Sequence, residues 1–349
     1  MSVKKEGVMA ATPEVSVIIP AHQAGKTIDR CLQSLARQTV ARETYEVLVV
    51  DDGSTDETRA RVAAYSGVRL FTQGHAGPAA ARNLGVQHAR GAIVLFTDAD
   101  CEPAQDWLER MTAPFGDEET VGAKGAYLTK QRELVARFVQ IEYEDRYDLM
   151  LRRMTQRDRI DFVDTYAAGY RRDILVVSGG FETCFPSASV EDQELSFRLA
   201  QQGHKLVFVP DARVYHWGHA HNVWDYWCTK FNIGYWKVLV HRRYPEKLWQ
   251  DSHTPQVLKA QIVLVGIGGF CLLGSVLWPP LLWGLALSGL VFLASTLPFV
   301  YKAWKKDPPV TIIAPGLLFV RALALGMGFA AGLASNRAPR GSSVRDGNC

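Results

Sequence analysis

The chain has 349 residues, 48% of them hydrophobic, and a formal net charge of +3. That length suits one large domain or two ordinary ones. The net charge itself says little, because charged residues are dense up to about residue 259 and sparse afterwards. The six cysteines are scattered without a C-x-x-C pair, which argues against a zinc site or a disulfide framework, and we expect no nucleic-acid partner.

Alternating strands and helices are predicted over residues 15–100. Short apolar runs predict strands at 15–20, 46–50, 68–71 and 93–96. The first of the helical patterns between them has Ile28, Leu32 and Leu35 at helical spacing. This alternation predicts an α/β fold whose parallel, doubly wound sheet is covered on both faces. We expect residues 1–14 to be a polar tail without the apolar core of a signal peptide.

Four aspartates follow the predicted strands. Asp51 and Asp52 come after the second strand, and Asp98 and Asp100 come after the fourth. Ligands of doubly wound sheets bind beyond the carboxyl ends of the strands, so this placement predicts a site. Two carboxylates one residue apart, as in Asp98-Ala99-Asp100, can hold a Mg²⁺ or Mn²⁺ ion that bridges substrate phosphates. A D-x-D sequence on its own also occurs by chance in solvated turns.

A long charged helix is predicted at residues 131–159. Phe138, Ile141, Tyr147 and Leu151 fall on or near one stripe of this helix. The stripe would pack against the rest of the protein, or the helix would lie on a membrane beside an acceptor.

A membrane region is predicted at residues 256–336, after a globular domain at 15–255. Residues 262–278 and 281–301 contain no Asp, Glu, Lys or Arg. Each is close to the length that crosses a bilayer, so we interpret them as a hairpin of two spans rather than as two buried core helices.

A third apolar segment, residues 310–334, carries Arg321 near its middle. A charge is costly in lipid, so we expect Arg321 to face protein, water or a lipid phosphate, and the segment to be re-entrant or interfacial. Basic residues flank the two spans while their connecting turn is uncharged, which places the globular domain and the tail at 337–349 in the cytoplasm. The predicted location is the inner (plasma) membrane, with several passes.

The chain resembles the family 2 glycosyltransferases, which have the nucleotide-sugar-binding GT-A fold. The resemblance covers roughly residues 15–221. The matching motifs are residues 17–21, 51–56, 77–85, 98–100, 168–172, 179–181, 191–199 and 210–216. So many motifs in the family's order imply a GT-A domain followed here by C-terminal transmembrane helices.

The resemblance implies where the base of a nucleotide-sugar donor would bind. Pro20, Ala21 and His22 would line the base pocket. Asp52, or its neighbour Asp51, would accept a hydrogen bond from the base, as a carboxylate can from a uracil imide N–H.

The same resemblance implies how the rest of the donor would be held. Arg82 would lie near the ribose or the phosphates. Asp98 would contact the ribose or a metal, with Ala99 beside it. Asp100 would hold Mn²⁺ or Mg²⁺, which offsets the charge that develops on the departing nucleoside diphosphate.

Glu191 and Asp192 are the candidate catalytic pair. The acid at the position of Asp192 resembles the family's general base, which takes the proton of the acceptor hydroxyl in a single displacement that inverts the anomeric carbon. Without the resemblance, the two acids could simply be first-turn residues that are favoured by the helix dipole.

An H-x-x-H-x-H run follows, consisting of His216, His219 and His221. Some GT-A enzymes supply a late histidine as a metal ligand, and His216 is the best-placed candidate here. Histidines that are hydrogen-bonded in a loop near the phosphates are an equally good interpretation.

The Q-x-x-R-W motif of processive family members is absent between residues 192 and 259. We therefore predict transfer of one sugar, with a UDP-sugar as the family default, to a membrane-associated acceptor such as a polyprenyl-linked one. Cell-surface polysaccharide or glycolipid synthesis is the expected setting, with Arg321 or the basic residues at 242–259 contacting acceptor phosphates beside the membrane lipids. The alternatives are a catalytically inactive membrane scaffold and a sugar nucleotidyltransferase.

Overall fold

The structure is a computed structural model that describes residues 12–185, 190–248 and 252–335. The predicted tail at 337–349 and most of the predicted tail at 1–14 lie outside these residues. The strands are β1 (Val15–Ala21), β2 (Tyr45–Asp52), β3 (Val68–Gln73), β4 (Ile93–Phe96), β5 (Cys101–Pro103), β6 (Thr120–Thr129), β7 (Ala168–Arg171) and β8 (Lys205–His216). They form one sheet in the order β3-β2-β1-β4-β7-β6-β8-β5.

Helices of very different lengths surround and follow this sheet. They are α1 (Ile28–Leu35), α2 (Thr58–Ala63), α3 (Pro78–His88), α4 (Trp107–Thr112), α5 (Leu134–Arg157), α6 (Arg172–Val177), α7 (Glu191–Gln201), α8 (Val223–Arg243), α9 (Gln256–Gly274), α10 (Leu281–Lys306) and α11 (Pro308–Ala334).

The first half of the sheet is parallel and doubly wound, as predicted. Strand β1 pairs with β2 on one side and β4 on the other, both in parallel. The winding direction therefore reverses between β1 and β4, which is where such sheets bind ligands. Alternate β1 residues enter different cores: Val17 and Ile19 belong to one apolar cluster, and Ile18 belongs to the cluster on the opposite face.

The second half of the sheet is mixed, which makes the sheet mostly rather than wholly parallel. Strand β7 is antiparallel to both β4 and β6, and β5 is antiparallel to β8. Antiparallel neighbours do not need a crossover helix, so the alternation of strands and helices that guided the prediction ends after β4.

In the part of the chain that the structure describes, three helices are long and apolar enough to cross a membrane. They are α9, α10 and α11. Helix α9 begins at Gln256 and includes Lys259, so it starts before the predicted span at 262–278. It ends at Gly274, a few residues before Pro279 and Pro280. A residue that precedes a proline disfavours helical geometry, so the helix would not be expected to continue through this turn.

Helix α5 joins the sheet domain to these apolar helices. Phe138 and Ile141 pack in one cluster with α11 residues, and Tyr147 is buried against the sheet. Leu151 was wrongly assigned to the buried stripe, because its side chain is 41% exposed. Near the end of α10, Lys302 donates to Asp148 of α5 at 2.7 Å, which ties this end of the apolar region to the sheet domain.

Candidate active site

The loops that follow β1 and β2 are tied together by hydrogen bonds. The backbone N–H of Gln23 donates to Ser54 Oγ at 2.9 Å, and that of Gly25 donates to Asp56 Oδ2 at 2.9 Å. These bonds fix the end of β1, where Ala21 is paired with Asp51 across the sheet. Of the three residues expected to line a base pocket, Pro20 is half-buried, Ala21 is buried and His22 is exposed.

The carboxylate of Asp52 is already saturated with hydrogen bonds. Its Oδ1 accepts from Gln73 Nε2 at 2.7 Å and from the N–H of Ala76 at 2.8 Å, and its Oδ2 accepts from the N–H of Gly77 at 2.9 Å. Burial favours the neutral acid, but these donors hold the pKa of Asp52 below its ordinary value. Asp52 therefore organises the start of α3 and has little capacity left for a ligand.

Its neighbour Asp51 is the better acceptor for a ligand. The side chain is buried, and its Oδ1 has no hydrogen-bond partner among the described residues. Its Oδ2 accepts from the N–H of Ser54 at 3.3 Å. A buried carboxylate oxygen without a donor is costly, so this atom suits a donor that a ligand brings.

Arg82 connects two parts of the predicted site. Its Nη1 donates to Glu191 Oε1 at 2.9 Å, and its Nη2 donates to Asp98 Oδ1 at 3.2 Å. The arginine and Glu191 are both buried. The guanidinium thus holds the loop after β4 against the first turn of α7.

Asn83, the next residue on α3, joins the motif at residues 77–85 to the motif at residues 179–181. Its Oδ1 accepts from the N–H of Phe181, and its Nδ2 donates to the Phe181 carbonyl, both at 2.8 Å. Gly180 has a φ of +71°, and a Cβ there would lie 2.5 Å from Asn83 Oδ1. The side chain therefore requires glycine in the turn that precedes α7.

Asp98, Asp100 and His216 form a candidate metal site at the end of the sheet. The carboxylates of Asp98 and Asp100 are each 32% exposed, and His216 Nε2 lies 3.4 Å from Asp100 Oδ2. His216 is brought there because it pairs with Cys101 in the β5–β8 ladder. Ala99, between the two aspartates, is buried.

The donor atoms of this site fit a divalent cation. One ligand atom each of Asp100, Cys101 and His216 lie within 4.8 Å of one another. Burial raises the pKa of the Cys101 thiol well above its ordinary value, so the sulfur is a neutral thiol and a poor ligand. Carboxylate oxygens and an imidazole nitrogen remain, a set that accommodates Mn²⁺ or Mg²⁺ more readily than a thiolate metal.

Asp192 has the protonation behaviour of a base that works near neutral pH. Burial and the negative charge of Glu191 raise the pKa of Asp192 to about 7, against the opposing effect of Arg82. Asp192 lines a cavity of about 470 Å³ whose wall also includes Asp98 and His216. The second candidate acid, Glu191, is occupied by Arg82, which leaves Asp192 as the acid poised for proton transfer.

The glycosyl transferase family 2 model matches residues 16–177. Residues 16–177 are a glycosyl transferase family 2 domain. The match contains Asp51, Arg82, Asp98 and Asp100, whereas α7 and β8 follow it along the chain.

Two curated glycosyltransferases are similar to this chain over more than half of its length. Glycosyltransferase AglE of Haloferax volcanii is 32% identical over 215 residues, which are 57% of this chain and 65% of AglE. The pre-mycofactocin glycosyltransferase of Mycobacterium tuberculosis is 29% identical over 241 residues, 67% of this chain and 49% of that protein. The aligned region is thus less than two thirds of either relative.

One solved structure extends the likeness to most of the chain. The mannosyltransferase PcManGT from Pyrobaculum calidifontis, in complex with GDP-Man and Mn²⁺, superposes with a TM-score of 0.58 at 18% identity. The superposition covers 93% of this chain and 88% of PcManGT. It confirms the predicted GT-A fold of the family 2 domain.

The three histidines of the H-x-x-H-x-H run have different surroundings, although the rings of His216 and His219 lie 4.8 Å apart. His219 is buried and its ring lies 5.0 Å from that of Tyr127; burial lowers its pKa to about 3. His221 points outward and pairs with Glu133 at 3.1 Å. Within the described part of the chain, His216 is therefore the one member of the run that reaches the aspartates.

A glycine that sequence reasoning missed makes room for the metal site. A Cβ on Gly218 would lie 2.1 Å from Asp100 Oδ2 and 3.1 Å from His216 Cε1. The carboxylate can occupy its observed position only because residue 218 has no side chain. The motif at residues 210–216 ends two residues before this glycine. A glycine so close to a candidate metal ligand was the available sign that space is needed there.

Gly218→Ala is expected to weaken metal binding by the family 2 domain. The added methyl displaces Asp100 from His216, and disturbing a ligand's surroundings typically costs about 10- to 100-fold in metal affinity. The measurement is the Mn²⁺ concentration that gives half-maximal nucleotide release. Gly116→Ala is the control, since a Cβ there meets nothing within 4 Å; an unchanged Mn²⁺ requirement in Gly218→Ala would contradict the prediction.

The family 2 domain also has a buried ion pair beside the catalytic cavity. Lys124 is fully buried and pairs with Asp164, and its Nζ donates to the Tyr166 hydroxyl at 2.9 Å. Asp164 and Tyr166 line the cavity that contains Asp192. Sequence reasoning did not find them, although both directly precede the motif at residues 168–172.

Proposed function

We propose that the chain is an inverting glycosyltransferase that moves one sugar from a nucleotide-sugar, with UDP-sugars as the first candidates, to a hydroxyl of a membrane-associated acceptor. The observation that carries this proposal is Asp192, a carboxylate with a pKa of about 7 on the wall of the cavity that contains Asp98 and His216. A base poised near neutral pH suits the removal of a proton from an attacking hydroxyl.

The reaction is a single displacement at the anomeric carbon. The acceptor oxygen forms a bond to that carbon while the bond to the phosphate oxygen breaks, and the electron pair leaves with the nucleoside diphosphate. Asp192 takes the hydroxyl proton. Attack from the face opposite the leaving group inverts the configuration. Arg82 acts as a positioning residue, because it fixes Glu191 beside the base and Asp98 beside the phosphates.

Asp98, Asp100 and His216 would hold Mn²⁺ or Mg²⁺. A bound divalent cation offsets the negative charge that develops on the leaving diphosphate. The 3.4 Å approach of His216 to Asp100 and the space left by Gly218 support this assignment, and the related fold of PcManGT was solved with GDP-Man and Mn²⁺. For the donor base, the unpaired Oδ1 of Asp51 is the best acceptor, in a pocket with residues 20–22.

The apolar helices are proposed to anchor the enzyme in the inner membrane with the catalytic domain in the cytoplasm. Large apolar side chains around the turn between α9 and α10 are strongly exposed, which suits contact with lipid. They are Leu273 at 77%, Val276 at 84%, Leu277 at 91% and Trp283 at 82%. The lysines at the other end of α10 contact α5, which supports one aqueous side for that loop and the sheet domain.

Anchoring gives a reason for a membrane-held acceptor. An enzyme confined to the plane of the bilayer meets lipid-linked acceptors that diffuse in the same plane. A polyprenyl-linked intermediate of cell-surface polysaccharide or glycolipid synthesis is the acceptor we favour.

A donor screen on the full chain in detergent tests the proposal. It measures nucleoside diphosphate released from UDP-, GDP- and dTDP-sugars with Mn²⁺ or Mg²⁺. Metal-dependent release from one of these donors would support a glycosyltransferase and would identify its donor. An inactive scaffold would release nothing and bind no donor, whereas a sugar nucleotidyltransferase would convert the nucleotide-sugar and added pyrophosphate into a nucleoside triphosphate and a sugar 1-phosphate.

A further inference from the structure

Three cations surround one carboxylate beside the catalytic cavity. Glu142 Oε2 lies 3.0 Å from Lys230 Nζ, and Glu142 Oε1 lies 3.0 Å from Arg321 Nη1 and 3.6 Å from Arg146 Nη2. Glu142, Lys230 and Arg321 are buried, and the side chain of Arg146 is 14% exposed. We call these four residues the Glu142 cluster.

The Glu142 cluster carries an excess of two positive charges. The Tyr226 hydroxyl, which donates to Glu142 at 3.0 Å, adds no charge. Burial lowers the pKa of Lys230 to about 8, Glu142 opposes this shift and Arg146 adds to it, so the lysine is still cationic at pH 7. Buried charges are normally paired, and here one carboxylate cannot pair with three cations.

Two of these cations face the catalytic cavity. Arg146 and Lys230 line it together with Asp192, whereas Arg321 donates to Gln261 Oε1 at 2.9 Å behind them. Arg321 therefore faces protein, as one of the predicted alternatives has it. Arg146 and Lys230 replace it as the candidate contacts for acceptor phosphates.

Among the described residues, no acid that lines the cavity forms an ion pair with Arg146 or Lys230. Asp98 and Glu191 contact Arg82, Asp164 contacts Lys124, and Asp192 lies on the same wall without an ion pair to either cation. The cations on α5 and α8 are thus separate from the acids that come from α7 and the sheet.

An apolar cavity of about 310 Å³ adjoins the catalytic one. It lies between α8, α9 and α11, and its lining includes Ile262, Val263 and Phe329. Leu258 and Leu325 line both cavities. The two cavities are therefore neighbours, with Asp192 and the two cations lining one and a gap between two apolar helices forming the other.

We infer that the Glu142 cluster binds the phosphate of a lipid acceptor, with its hydrocarbon chain leaving between α9 and α11. This inference rests on the proposed function. The base and the cations line one cavity, and the apolar gap adjoins it. This arrangement matches an amphiphile that has a hydroxyl-bearing head, a phosphate and a long chain. A phosphate supplies the negative charge that the cluster lacks, through bonds to a guanidinium and an ammonium.

Binding of a lipid phosphate to the full chain in detergent tests the inference. The probe is a C55 polyprenyl phosphate, its affinity is measured by native mass spectrometry, and the C55 polyprenol and inorganic phosphate are the comparison ligands. We expect the lipid phosphate to bind, and Arg146→Gln and Lys230→Gln each to weaken it by roughly tenfold, the loss of one charged hydrogen bond. Arg146→Lys should restore part of the affinity.

A charge-matched control is available on the same helix. Arg152 of α5 is exposed and does not line the cavity, so Arg152→Gln should leave binding unchanged. Equal binding of the polyprenol, or wild-type affinity in both Gln variants, would overturn the inference. Inorganic phosphate binding as tightly as the lipid phosphate would also overturn it, because the chain would then contribute nothing.

Metal-dependent donor binding by the same variants separates this inference from the proposed function. If the variants bind donor as the wild type does and lipid phosphate binding is unaltered, the anion site is wrong and the glycosyltransferase stands. If the wild type binds no donor at all, the proposed function fails first. Retained donor binding also shows that each variant is folded.

Discussion

Asp192→Asn is expected to lower kcat by about 10²- to 10⁴-fold, the usual contribution of a positioned general base. Asparagine has nearly the same volume but its amide cannot accept the hydroxyl proton. The donor is held by residues outside α7, so the KM for the donor should change little. The measurement is steady-state transfer to acceptor with the donor identified by the screen.

The pH dependence of the wild type follows from the same residue. The pKa of Asp192 is raised from 3.8 to about 7, so at pH 6 the carboxyl is mostly protonated and cannot act as a base. Activity should therefore rise as the pH increases through about 7 and level off above it. Asp192→Asn should lose this rise, because the titrating group is gone.

Asp211→Asn is the matched control for this experiment. Asp211 is an exposed carboxylate on β8 that pairs with Arg213, so its loss should leave both kcat and the pH profile unchanged. If Asp192→Asn kept activity within threefold of the wild type, the base would have to be another group. A pH rise that persisted in the variant would lead to the same conclusion.

Asp100→Ala should lower kcat/KM for the donor by about 10²-fold or more, as expected when a cation that stabilises a leaving diphosphate is lost. Asp100 is the carboxylate that lies beside His216, so alanine at this position removes a candidate metal ligand and leaves the imidazole in place. The defect should be partly relieved at high Mn²⁺ if weaker metal affinity is its cause. A Mn²⁺ titration of nucleotide release measures both effects.

Asp106→Ala provides the comparison for a carboxylate lost nearby. Asp106 is half-buried, pairs with Arg110 four residues later, and is not among the residues of the candidate metal site. It should keep the wild-type Mn²⁺ dependence. If Asp100→Ala also kept it, the ion would have to be held elsewhere.

The sequence was most informative where a residue's role depends on its own strand end. Asp51, Asp98 and Asp100 could be placed near one another because the carboxyl ends of parallel strands share one edge of the sheet. The choice between Asp51 and Asp52 was not available from sequence. It depends on Gln73 and the backbone after β3, which occupy the Asp52 carboxylate.

Residues from separate elements were harder to predict. Glu142 and Lys230 are 88 positions apart and meet only because α5 and α8 both pack against α11. In the sequence each is one charge on a charged helix, with no motif around it. The antiparallel pairings in the second half of the sheet could not be predicted for a similar reason, since long-range pairings such as β4 with β7 have no local pattern.

Helices α8 and α11 pack with their backbones in direct contact. Cβ atoms on Gly234, Gly328 and Gly332 would lie 2.1 to 2.5 Å from backbone carbonyl oxygens of the facing helix. Lys230 belongs to α8, so this contact fixes its position relative to α11 without a flexible linker. If the proposed lipid phosphate binds at Lys230, the distance from there to Asp192 limits the size of the acceptor head group: one with too few or too many units between phosphate and hydroxyl could not place that hydroxyl at Asp192.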